Sequence, residues 1–106
     1  MFTFMSNQNR KLSMDLESEG ISFHYDTQRG VYHVGQSWAS IHALLAKLRN
    51  YQAYSARNQS ISVRMQDQEL WLKFRARDAK IEEECNFSAE ETARIMDFLG
   101  RAPNLN

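Results

Sequence analysis

The chain has 106 residues, 13 Lys+Arg against 13 Asp+Glu, 42% apolar residues and one cysteine. That length makes one domain with a real core, and the composition is that of a globular chain rather than a disordered one. A lone Cys85 excludes an intramolecular disulfide framework and a multi-cysteine zinc finger, and zero net charge gives no global pull toward nucleic acid or an anionic membrane.

No apolar run approaches the ~20 residues of a spanning helix. The start, Met1-Phe2-Thr3-Phe4-Met5, is too short for a signal-peptide core, and Arg10 and Lys11 follow it rather than precede it. The chain therefore reads as a soluble cytoplasmic protein with no membrane association. Residues 6–11 hold no apolar anchor, so residues 1–11 are expected to form a flexible lead-in. Residues 12–106 then form a single α+β domain.

Leu12, Met14 and Leu16 alternate with polar residues, which is strand period. Ser18-Glu19-Gly20 is a turn signal. Ile21, Phe23 and Tyr25 alternate next, residues 26–30 turn the chain, and residues 31–34 return it, a meander of three antiparallel strands. Ser37 is a good N-cap. From Trp38 the period becomes helical, with Ile41, Leu44, Leu45 and Leu48 on one stripe, and the helix is expected to reach residues 54–57.

Strand period resumes at Ile61, Val63 and Met65, turns at residues 67–69, and continues through Leu70, Leu72, Phe74 and Ala76. Residues 77–80 turn again, and residues 81–87 form a weaker strand. Ser88 with Glu91 matches a capping box; a short helix follows, stopped by Gly100 and Pro103. The predicted order is βββα-βββα: a two-layer α+β domain with one antiparallel sheet of about six strands and both helices on one face. A sheet shared across a dimer is the competing architecture.

The chain has no Gly-rich phosphate loop, no H-E-x-x-H, no C-x-x-C and no G-x-S-x-G, and no cofactor is expected. Three constellations remain. If Asp26 and Val31 close the hairpin, His24 lies opposite His33, and two imidazoles with Asp26 on the same face make a metal or catalytic candidate. Paired surface histidines on the polar side of a hairpin are the simpler account. Second, Trp71, Lys73, Arg75 and Arg77 share the polar face of one strand, with Arg64 beside them, a pattern suited to stacking and neutralising single-stranded nucleic acid. Glu82 and Glu84 on the next strand could instead turn that face into a salt-bridge ladder. Third, Trp38, Tyr51 and Tyr54 are aromatic anchors of the kind interfaces prefer.

Charge is segregated along the chain. Residues 37–77 carry seven basic and two acidic groups, whereas residues 78–106 carry three basic and seven acidic. The leading functional reading is a small non-enzymatic binding or accessory protein, homodimeric, with an unidentified protein or small ligand as partner. Single-stranded nucleic-acid binding is the alternative, and a His-based metal or catalytic site the minor one.

Overall fold

The computed structural model describes residues 1–56, 60–75 and 82–101. The first sheet contains β1 (Phe2–Met5), β2 (Lys11–Leu16), β3 (Gly20–Thr27) and β4 (Gly30–Ser37), adjacent in chain order and antiparallel throughout. Helix α1 (Trp38–Arg49) follows. The second sheet contains β5 (Tyr54–Ser55), β6 (Ile61–Gln66), β7 (Glu69–Arg75) and β8 (Glu82–Asn86), again antiparallel and in chain order, before α2 (Ala89–Leu99). The class is α+β as expected. The single six-stranded sheet is not: there are two sheets of four, in the order ββββα-ββββα. The break falls where β4 runs straight into α1, and where the next strand, β5, is only two residues long and pairs with β6.

Residues 1–11, expected as a lead-in, hold β1 instead. Thr3 and Met5 point outward, while Phe4 is 3% exposed and lies 6.2 Å from the Phe98 ring of α2. One inward aromatic supplies the anchor that the polar stretch lacks. That stretch is ordered in turn by its own polarity. Asn9 takes φ 60° in a tight turn, and the Asn7 amide donates to the Asn86 carbonyl at 2.8 Å. The Gln8 side chain donates to Asn86 Oδ1 and accepts from the Asn86 amide. The β1–β2 turn is thereby fastened to β8.

Helix α1 begins as read, with the Ser37 hydroxyl accepting from the Ser40 amide. It stops at Arg49, earlier than expected. The apolar stripe ends at Leu48, the Asn50 side chain donates to the Ala46 carbonyl, and Tyr51 adopts φ 55°. The far end of the expected helix, Arg57, lies outside the described residues, as do the expected turn at 77–80 and Pro103.

Both sheets and both helices feed one core. Tyr25 of β3 stacks on Phe74 of β7, ring centres 5.2 Å apart, and Tyr32 of β4 reaches the same ring at 5.9 Å. Gly20 is required where β3 begins: a Cβ there would lie 1.8 Å from the Gln36 carbonyl oxygen. Among the described residues no buried side-chain nitrogen or oxygen lacks a hydrogen-bond partner, and no helix is long and apolar enough to cross a membrane.

Candidate functional site

The outward face of the first sheet carries the histidine pair. Register sets Ser13, His24 and His33 side by side. The two imidazoles stack with centroids 4.3 Å apart and planes 18° from parallel. The carboxylate beside them is Asp15, its Oδ2 3.7 Å from His24 Nε2 and its Oδ1 3.7 Å from the Met1 amino group. Asp26 shares the face but sits one row away, opposite Val31. Stacked rings present faces, not nitrogens, to each other. Among the described residues no three His, Cys, Asp or Glu side chains converge as a metal would need. The alternation of Ser13 and Asp15 on the outward side of β2 is the sequence signal for this carboxylate, which the hairpin spacing of Asp26 does not carry.

The outward face of the second sheet carries the basic strand. Lys73 lies between Ser62 and Glu84, and Arg75 opposite Glu82. Arg75 Nη2 approaches Glu82 at 2.8 Å, Lys73 Nζ the same carboxylate at 3.9 Å, and Arg64 Nη2 Glu84 at 3.9 Å. The Arg64 guanidinium also covers the Trp71 ring, 4.5 Å from its centre. The acidic strand thus lies against the basic one, and the segregation seen along the chain cancels locally. Arg77 lies outside the described residues. A shallow groove on this face is lined by Ser55, Ser62, Lys73, Arg75 and Glu82.

The three aromatic candidates separate. Trp38 Nε1 donates to the Ser18 carbonyl at 3.0 Å, and Tyr54 shares a 2.6 Å hydrogen bond with Ser40. Both pack against the core. Tyr51 stands 77% exposed.

Inside, Ser6 and Tyr25 share a buried hydrogen bond of 3.2 Å, and Cys85 is fully buried beside them. Burial pushes the Cys85 thiol from 9.0 up to about 12, and Tyr25 from 10.0 to about 12. A protonated, enclosed thiol is a poor nucleophile. Glu91 behaves differently. Burial acts to raise its carboxyl, but the Met5 amide at 2.8 Å and the Arg94 guanidinium outweigh this and hold it below the usual range. The capping box is therefore half used: Ser88 accepts from the Glu91 amide, while the Glu91 side chain grips β1.

A feature that the sequence reading did not single out is the free edge of β4. The Glu17 amide bonds the Gly20 carbonyl, which fixes the alternation of inward and outward amides across the sheet. On β4 it turns Gly30, Tyr32, Val34 and Gln36 toward β3, and Val31, His33 and Gly35 outward. The legible signal is a strand without Lys, Arg, Asp or Glu from Gly30 to Ser37. That the strand would pair on one side only was not legible.

The chain matches no known family model, no curated protein and no solved structure.

Proposed function

We propose that this chain is a non-enzymatic binding protein that acts as a homo-oligomer and takes a protein or small ligand as partner. One observation carries this reading. Among the described residues every buried side-chain nitrogen and oxygen is hydrogen-bonded, yet Val31, Met5, Leu16 and Tyr51 are left in solvent. Covering such side chains with a second copy or a ligand removes apolar surface from water, the dominant favourable term in most protein association. Tyr25, Cys85 and Glu91, whose proton affinity the fold alters, are each engaged in internal bonds, which favours a structural role for these three groups. Sedimentation velocity across a concentration series is the test. A reversible shift to a dimer is expected; a single monomeric species throughout would overturn self-association.

Nucleic-acid binding is the second reading, favoured by Arg64 over Trp71 in line with Lys73 and Arg75. Against it stand Glu82 and Glu84, which already occupy those cations. Oligodeoxythymidine quenching tryptophan emission at low salt, and losing that effect at high salt, would support it. Unchanged emission at low salt would exclude it.

A further inference from the structure

We infer that two copies of this chain join edge to edge through β4, antiparallel about a two-fold axis at His33, so that two four-stranded sheets become one of eight. The inference rests on the self-association reading and specifies its surface.

A sheet exposes backbone donors and acceptors along each edge, and proteins blunt edges with charge, shortness or a cover. Three of the four edges here are blunted. On β1 the outward Met5 amide is taken by the Glu91 carboxylate. Strand β5 is two residues long. On β8 the outward backbone of Asn86 is bound by Asn7 and Gln8, and Glu82 and Glu84 charge the rest. Among the described residues, none of these devices protects β4. It is eight residues long and holds no Lys, Arg, Asp or Glu. Among the described residues nothing pairs with the amides of Val31, His33 or Gly35; only the Gly35 carbonyl is touched, by the Gln36 side chain. A carbonyl oxygen has a second lone pair and can accept another amide.

The strand also fits itself. Pairing centred on His33 aligns all three outward residues: His33 faces its own copy, and Val31 faces Gly35 of the other chain. In such pairs both residues exchange N–H···O bonds. Val31 is 59% exposed, and nothing lies within 4 Å of where a Gly35 Cβ would be. The projecting isopropyl of one copy thus meets the vacant site of the other, and reciprocally, as an isologous interface requires. On the opposite face Tyr32 falls beside Val34 of the second copy, which joins the two cores.

Two variants test the register. Gly35→Lys places its Cβ in open space in the monomer, so folding should be unchanged by circular dichroism. It also fills the Val31 site and charges the edge, so the dimer should be lost in sedimentation. His33→Cys brings two thiols to the axis, where directly opposed Cα atoms lie ~5.5 Å apart, within disulfide reach. Cys85 is buried and does not compete. Mild oxidation should convert His33→Cys to a covalent dimer, while Val31→Cys and Tyr51→Cys remain largely monomeric. A dimer that persists in Gly35→Lys, or oxidation that links Tyr51→Cys as fast as His33→Cys, overturns the β4 interface while leaving self-association intact. A monomeric wild type overturns both. Should Gly35→Lys fail to fold, the oxidation rates decide.

Discussion

Phe4→Ala measures whether β1 belongs to the fold. Phe4 is 3% exposed, with the Phe98 ring at 6.2 Å and the Arg94 guanidinium 5.0 Å above its face. Burying such a ring contributes about 1.5–3 kcal/mol by transfer alone. The cavity left by truncation raises the total to about 3–5 kcal/mol. Phe2 is the internal control. It lies on the same strand and its ring is only 4.4 Å from Phe98, yet it is 38% exposed. Part of its surface is already wet, so Phe2→Ala should cost about half as much or less. Small domains have total stabilities of about 5–15 kcal/mol, so Phe4→Ala should lower the urea midpoint strongly with little change in slope. Equal, small losses of under ~1 kcal/mol for both variants would refute the reasoning, because they would mean that the first residues contribute no packed surface.

Two pH predictions follow from the perturbed groups. Glu91 has a folded-state pKa held below its unfolded value, so its contribution is present above the ordinary glutamate range and is lost as pH falls through the folded value. Glu91→Gln should therefore cost about 1–3 kcal/mol at neutral pH and flatten the acid side of the stability curve; an acid limb identical to wild type would contradict this. Cys85 has a raised folded-state value, so its contribution is complete below 9.0 and is lost as pH climbs toward about 12. A thiol reagent should leave native protein unlabelled at neutral pH, and in Cys85→Ala the alkaline decline should begin later, where Tyr25 takes over from 10.0 upward; prompt native-state labelling would count against the buried thiol.

Alternation carried most of what was legible in the sequence. The inward sets Leu12/Met14, Ile21/Phe23/Tyr25 and Leu70/Leu72/Phe74 are buried as their spacing implies, and His24 does meet His33 because a two-residue loop after Thr27 sets the pairing. Strand period says which side of a strand is wet but not which strand lies beside it. Hence the alternation alone does not separate one sheet from two. Strand β1 was overlooked because four residues are too few to show a period, and its anchors on α2 and β8 lie elsewhere in the chain. The helix end was misplaced because Ala53 and Tyr54 continue a plausible pattern, while the reversal at Tyr51 depends on a left-handed backbone that no side-chain pattern announces. For the basic strand, the salt-bridge ladder required only that β8 pair with β7, and it does.

The fastening of the β1–β2 turn to β8, and of Met5 to Glu91, joins residues 78 and 86 positions apart. Closing such long loops is slow relative to forming neighbouring hairpins. As the chain is synthesised, β1 to β4 emerge with Tyr25 and Phe4 lacking their ring partners, since Phe74 and Phe98 do not yet exist. The first sheet must wait, half-finished, for the last helix. A ribosome-bound chain should therefore acquire protease resistance in one late step rather than in two successive halves, and the repeated ββββα order would describe the way the chain is written more than the way it folds.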